Sequence, residues 1–315
     1  MVDSFGREID YLRVSVTDRC NFRCIYCMPE EGIDKCHHSE ILSFEDIEKI
    51  IDILTELGIS KIRITGGEPL VRKGCSEFIQ KLAKNKTIDK LCLTTNGVYL
   101  KNYIDVLKKA NLYSLNISLD TLNKNLFKEI TRNGKLDDVL ESISKISEIG
   151  AKTTKLNVVL LKGINDDKIL EFVSFARAKN LILRFIELMP FSPCKSYEKY
   201  GITADEIINK YNLCRTSNQD YSNNVETYKF STGEEVGFIR PISSKFCFKC
   251  NRLRLTTDGK LMLCLHGNLC LDLKKYLNDE NEMKKAILDF IKRKPKEHQI
   301  DLGILQNLTM NEIGG

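Results

Sequence analysis

The sequence predicts an α/β fold: an incomplete (βα)6 barrel of the TIM type, followed by a smaller C-terminal α+β unit. Three observations carry this. Short β-prone segments recur through the first two thirds of the 315 residues. Helical patterns lie between most of them. The alternation stops near Met189-Pro190, and the remainder reads as polar loops and short strands. Strands alternating with helices of this length form βα units and a parallel sheet. About six such strands fit an open barrel better than a closed eightfold one.

The six strand segments are 11–16, 61–65, 90–94, 114–118, 155–160 and 182–187. Between the first two, Phe44, Ile47, Ile50, Ile51, Leu54 and Leu57 recur at helical spacing over 43–57. Ser43 with Asp46 caps the start of that helix and Gly58 ends it. Between the fourth and fifth strands, Leu136, Val139, Leu140, Ile143, Ile146 and Ile149 repeat the pattern over 136–149, and Gly150 follows. Residues 215–240 are polar, with short strands expected at 227–230 and 236–240. The expected units are 1–202 and 203–315, without long-period repeats or low-complexity tracts.

The chain is 42% hydrophobic and 29% charged, ordinary values for a protein that buries a large core. Its net charge, 48 − 43 = +5, suits an anionic ligand and is too small to argue for nucleic acid. The main basic cluster, Lys292-Arg293-Lys294-Pro295-Lys296, reads as a solvated helix end. No secretory apolar region follows the first seven residues and no apolar run has membrane-spanning length, so a cytoplasmic location is expected. Twelve cysteines in a reducing compartment are not expected to form disulfides. Some are then buried hydrophobes and some metal ligands.

Two constellations stand out. Cys20, Cys24 and Cys27 form a C-x3-C-x2-C run just after the first strand, at the sheet edge where α/β barrels place their chemistry. Three soft thiolates leave one iron of a four-iron cluster open; zinc is the alternative, with His37 or His38 as a fourth ligand. Cys247 and Cys250, then Cys264 after thirteen residues, form a second triad. Here half a zinc ribbon completed by Cys270 or His266 is nearly as good a reading as a cluster. Cys36, Cys75, Cys92, Cys194 and Cys214 are scattered, and core packing is the default for Cys92.

The first run, with Tyr26 before its last cysteine, resembles the signature of the radical S-adenosylmethionine (SAM) superfamily. Thr65-Gly66-Gly67-Glu68-Pro69 after the second strand resembles that superfamily's SAM-binding turn. There a glycine pair lets backbone approach the ligand and the following polar group meets the amino end of SAM. Nearly the whole chain, in order, is similar to one family within it, the GTP 3′,8-cyclases of molybdenum cofactor biosynthesis. The carriers are Arg13, Arg63, Thr94-Thr95-Asn96-Gly97, Ser118-Leu119-Asp120, Lys155, Asn157-Val158-Val159 and Lys162-Gly163-Ile164-Asn165-Asp166. Arg184-Phe185-Ile186-Glu187-Leu188-Met189, Cys247-x2-Cys250-Asn251-Arg252-Leu253-Arg254 with Cys264, and the final Gly314-Gly315 complete them.

This resemblance implies a radical SAM barrel whose C-terminal unit carries a second cluster. Cys20, Cys24 and Cys27 would hold a [4Fe–4S] cluster with SAM on its open iron, and Cys247, Cys250 and Cys264 a second one whose open iron meets guanine. It implies SAM contacts at Tyr26, Gly67, Ser118 and Met189. It implies GTP contacts at Arg13, Arg63, Thr94, Lys155, Arg184, Arg252, Leu253 and Arg254, with Arg13, Arg252 and Arg254 catalytic and the glycine tail in the active site. An electron from a flavodoxin- or ferredoxin-type donor would cleave SAM to methionine and a 5′-deoxyadenosyl radical. The radical would take hydrogen from C3′ of GTP, and the carbon radical would close on guanine C8. The product, (8S)-3′,8-cyclo-7,8-dihydroguanosine 5′-triphosphate, would pass to cyclic pyranopterin monophosphate synthase. The implied enzyme is a monomer or homodimer. It has no P-loop, so the triphosphate must be met by arginines and lysines on strands. The rivals are a peptide-modifying maturase, which usually carries more C-terminal cysteines, and a zinc-containing binding module.

Overall fold

A computed structural model describes residues 1–32, 37, 40–191, 196–216, 224–300 and 308–314. The six expected strands are present as β1 (Tyr11–Ser15), β2 (Lys61–Thr65), β3 (Lys90–Thr95), β4 (Ser114–Ser118), β5 (Thr153–Leu160) and β6 (Ile182–Glu187). They lie side by side in chain order, and each pair is parallel. Helices α1 (Phe44–Glu56), α2 (Cys75–Leu82), α3 (Ile104–Lys109), α4 (Lys124–Thr131) with α5 (Leu136–Ser144), and α6 (Ile169–Ala178) make the crossovers.

The N-cap of α1 is as expected: the Ser43 side chain accepts from the Asp46 amide. The second expected helix is shorter than its periodicity. α5 stops at Ser144, and residues 146–149 form a separate 3-10 turn before Gly150. The apolar spacing continues through the break because both pieces cover the same core.

After α7 (Ser196–Tyr200) and α8 (Ala204–Lys210) come β7 (Cys214–Arg215), β8 (Glu226–Lys229) and β9 (Glu235–Ile239), then β10 (Arg252–Leu255), β11 (Lys260–Met262) and β12 (Cys270–Asp272). Among the described residues all twelve strands form one sheet, in the order β12-β11-β10-β1-β2-β3-β4-β5-β6-β9-β8-β7. β10 joins β1 and β9 joins β6, both parallel. The later third of the chain therefore widens the barrel at both edges, to eight adjacent parallel strands flanked by antiparallel pairs. The chain ends with α9 (Glu280–Ile291) and α10 (Met310–Ile313).

The strands alternate strictly. Leu12 and Val14, Ile62 and Ile64, Leu115 and Ile117, and Leu253 and Leu255 are buried in the main core, which the helices cover. The residues between them face the barrel interior, and most are polar. Parallel strands covered on both faces are usually apolar throughout. A polar inner face therefore marks a cavity shaped for a ligand. Of the basic cluster 292–296, Lys292, Arg293 and Lys296 are exposed as expected, but Lys294 is only 3% exposed. Among the described residues no helix is long and apolar enough to cross a membrane.

Candidate active site

The interior encloses a cavity of about 520 Å³. The first triad, Cys20, Cys24 and Cys27, lies in the loop after β1, at the C-terminal ends of the strands. That loop is tied down by its backbone. The amides of Arg23 and Ile25 donate to the carbonyls of Thr131 and Ile130, and Arg132 Nη1 donates to the Arg23 carbonyl at 2.9 Å. Phe22 packs edge-on against Phe127. Burial pushes the Cys20 thiol up to about 11 and the Cys24 thiol well above its ordinary range. Thiolates here require a cationic partner, which a metal cluster supplies.

The glycine turn after β2 serves this loop. The Gly67 amide donates to the Thr17 carbonyl at 2.7 Å, and the Glu68 amide to the Arg19 carbonyl at 2.9 Å. A Cβ on Gly67 would lie against the Arg19 carbonyl oxygen, 2.7 Å from its carbon and 2.9 Å from the Asp18 oxygen, all backbone atoms. Gly67→Ala is therefore expected to displace the triad loop and to cost about 1–3 kcal/mol by overpacking. Thermal melts and iron content would check this; parental values for both would show that the close approach is not needed. Glu68 departs from its expected ligand-facing role. Its carboxylate is enclosed, accepting from the Thr95 hydroxyl and the amides of Leu70 and Asn96, because the turn bends it behind the wall. Nearby, Tyr26 lines the cavity and donates to Asp120 at 2.6 Å, while Asp120 accepts from the Val159 amide.

The second triad lies at the other end. Cys247 and Cys250 precede β10, which runs parallel to β1, and Cys264 follows β11, which runs antiparallel to β10. All three therefore approach from the N-terminal side of the strands and line the same cavity. Among the described residues no three His, Cys, Asp or Glu side chains converge on a single metal ion. Cys270, an alternative fourth ligand, is exposed on β12 and away from the cavity, whereas His266 lines it. Cys36, His38 and Cys194 lie outside the described residues.

Between the triads stand the cations. Register puts Arg254, Arg13 and Arg63 in one row across β10, β1 and β2, with Arg252, Tyr11 and Lys61 in the row nearer the second triad. Lys155 and Arg184 face them from β5 and β6. Seven lysines and arginines thus line the cavity, and no described carboxylate does. The crowding shows in their acidities. Burial, then like charge from Arg184 and Arg63, pulls Lys155 down to about 7. Burial with neighbouring Arg13 and Arg252 pulls Arg254 well down. Burial would raise the Tyr11 phenol, yet Arg63, Arg13, Arg252 and Lys61 bring it down to about 7. Arg252 Nε and Asn157 Oδ1 are buried without a hydrogen-bond partner among the described residues. A polyanion with hydrogen-bonding edges fits these features.

Of the residues singled out from the sequence, Arg13, Arg63, Thr94, Lys155, Arg184, Arg252, Arg254, Tyr26, Gly67, Ser118 and Met189 all line this cavity with the six cysteines. Leu253 does not. It is fully buried in the core on the opposite face of β10, because strand residues alternate. Tyr11, Lys61 and Asn116 also belong to the wall, and so does Asn157 of the Asn157-Val158-Val159 segment; for the first three, period-two placement is the available sequence signal. Gly314 is also at the site: its carbonyl accepts from Arg254 Nη1 at 2.6 Å.

A cluster-ready loop on a parallel barrel defines a radical SAM enzyme, and the sequence profile of the Radical SAM superfamily matches residues 14–176. The profile of Molybdenum Cofactor Synthesis C matches residues 181–300. A protein of Peptoclostridium acidaminophilum named GTP 3′,8-cyclase is 46% identical over 320 residues, covering 100% of this chain and 98% of its own. A protein of the same name from Clostridium botulinum strain Langeland is 44% identical, with both chains covered completely. The chain belongs to the family of these GTP 3′,8-cyclases. Among solved structures, Streptococcus suis SuiB bound to S-adenosylmethionine superposes with a TM-score of 0.62 at 18% identity, over 89% of this chain and 68% of that one. This last likeness is one of fold.

Proposed function

We propose that this protein is a GTP 3′,8-cyclase, converting GTP to (8S)-3′,8-cyclo-7,8-dihydroguanosine 5′-triphosphate in the first step of molybdenum cofactor biosynthesis. The observation that carries this is a cavity with a cysteine triad at each end and seven lysines and arginines lining it between them. When bound, a [4Fe–4S] cluster on Cys20, Cys24 and Cys27 with SAM supplies the 5′-deoxyadenosyl radical that takes hydrogen from substrate C3′. The chain's residues bind, orient and exclude water. Tyr26, Gly67, Ser118 and Met189 hold SAM beside the first triad. Arg13, Arg63, Thr94, Lys155, Arg184, Arg252 and Arg254 hold GTP, and any contribution of Leu253 is through its backbone. Guanidinium forks on three neighbouring strands suit phosphate oxygens held in one pose. Arg13, Arg252 and Arg254 reach the reacting region, with the Gly314 carbonyl orienting Arg254. Cys247, Cys250 and Cys264 would hold a second [4Fe–4S] cluster, which would supply an open iron for the guanine base.

The division into a barrel, 1–202, and an auxiliary-cluster unit, 203–315, belongs to this reading, as do a cytoplasmic location and a flavodoxin- or ferredoxin-type donor. So do hand-over of the product to cyclic pyranopterin monophosphate synthase and a monomeric or homodimeric state. Anaerobic incubation of the reconstituted protein with SAM, a one-electron reductant and GTP should give methionine, 5′-deoxyadenosine and a cyclised triphosphate, identified by mass and by conversion to a pterin. Recovery of unchanged GTP beside 5′-deoxyadenosine would overturn the substrate assignment. Cys250→Ala is expected to keep uncoupled SAM cleavage while the cyclised product disappears. Cyclisation at the parental rate would make the second triad structural only.

A further inference from the structure

Lys294 is a buried cation without a carboxylate partner among its hydrogen bonds. Its ammonium donates to two backbone carbonyls, that of Arg252 at 2.8 Å and that of Leu263. Those carbonyls belong to the two arms of the second triad. The pairing of β10 with β11 runs through Leu255–Leu261 and Arg254–Met262. Beyond it the arms lead to Cys250 on one side and Cys264 on the other, and the ammonium bridges them there. The neighbouring chain serves the third ligand. Arg7 donates to the carbonyls of Pro295 and Lys296 and to that of Cys247. Residues 294–296 thus tie, directly or through Arg7, to the backbone at or beside all three cysteines.

We propose that Lys294 is a positioning residue of the second triad, spacing the arms that carry Cys250 and Cys264 and placing a positive charge beside their thiolates. A buried ammonium costs desolvation energy, and apolar packing could join two strands without it. Two carbonyl acceptors take two of its three donors and, being neutral, leave its charge uncancelled. Around a thiolate-held cluster that charge favours the reduced, more negative state and so raises the midpoint potential. This inference rests on the second triad binding an iron–sulfur cluster.

The test uses the full-length chain with Cys20, Cys24 and Cys27 all replaced by alanine, so that bound iron reports on the second triad alone. After anaerobic reconstitution with ferrous iron and sulfide, iron content is measured before and after dialysis against a chelator. The midpoint potential is measured by spectroscopic redox titration. If the parent takes up no iron, the cluster reading of the second triad fails, whatever Lys294 does. With the parent loaded, Lys294→Met should weaken iron retention by about ten-fold, a usual effect of removing a residue that orients metal ligands. Lys294→Gln, which keeps a donor but loses the charge, should retain more iron at a more negative midpoint potential. Parental retention and potential in both variants would overturn the proposal. If circular dichroism shows Lys294→Met to be unfolded, Lys294→Gln decides alone, and an unchanged potential overturns it. Loss of fold in both would make Lys294 a general structural residue and would also overturn it.

Discussion

Cys24→Ala is expected to abolish 5′-deoxyadenosine formation, with a fall of more than about 100-fold, because a four-iron cluster held by three thiolates cannot spare one. The other two ligands do not compensate. The loop is pinned to the end of α4 through Arg23, Ile25 and Arg132, so Cys20 and Cys27 cannot close over the gap. The fold should survive, since Cys24 only packs against the edge of the core and supplies none of its buried apolar residues. Chromatography of 5′-deoxyadenosine beside iron analysis checks both statements. SAM cleavage at the parental rate would remove the first triad from the chemistry.

Deleting Gly314 and Gly315 is expected to lower product formation by about 100-fold while iron content and fold stay parental. The helix before them is anchored independently: Asn311 donates to the Asp18 carbonyl at 2.9 Å, and Thr309 and Glu312 form a capping box. Among the described residues the deletion removes the acceptor of Arg254. That guanidinium sits in a row with Arg13 and Arg63, and loss of a neutral acceptor frees it to turn away from like charge. Misplacement of a catalytic group by about 1 Å is enough for such a loss. Gly314→Ala should act in the same direction. Its φ is +80°, and a Cβ there would meet Ser15 Cβ at 2.8 Å and Thr65 Oγ1 at 2.7 Å. Full activity in the deletion variant would take the tail off the list of functional elements.

The readable part of this molecule was local. β1 to β6 announce themselves as short apolar alternations between amphipathic helices, and α1 carries its own cap. Both cysteine triads are visible as spacing. Non-local facts were hidden. Nothing near Arg252 says that its strand pairs with β1, some 240 residues earlier, and β11, β12 and β7 are too short to show a period. Tyr11 and Lys61 became wall residues only once register put them between Arg252 and the β2 side of the cavity. Lys294 is hidden for a related reason. A run of basic residues looks solvated, and only tertiary structure shows which one turns inward.

The placement of β10 bears on how the chain is made. During synthesis β1 emerges early, and its outer hydrogen-bonding edge has no partner until β10 follows, far along the chain; the free edge of β6 waits likewise for β9. Unpaired edges on a growing chain invite association with other chains. The charges that make the cavity attractive to a polyanion help meanwhile, because Arg13, Lys61 and Arg63 keep the nascent inner face repulsive to its own kind. The same arrangement makes substrate capture an all-or-none property of completed chains. A product truncated before Arg252 has the first triad and five of the seven lysines and arginines, but lacks the row in which Arg254 stands beside Arg13. Incomplete molecules would be poor competitors for substrate, and exposed edges would mark them for removal.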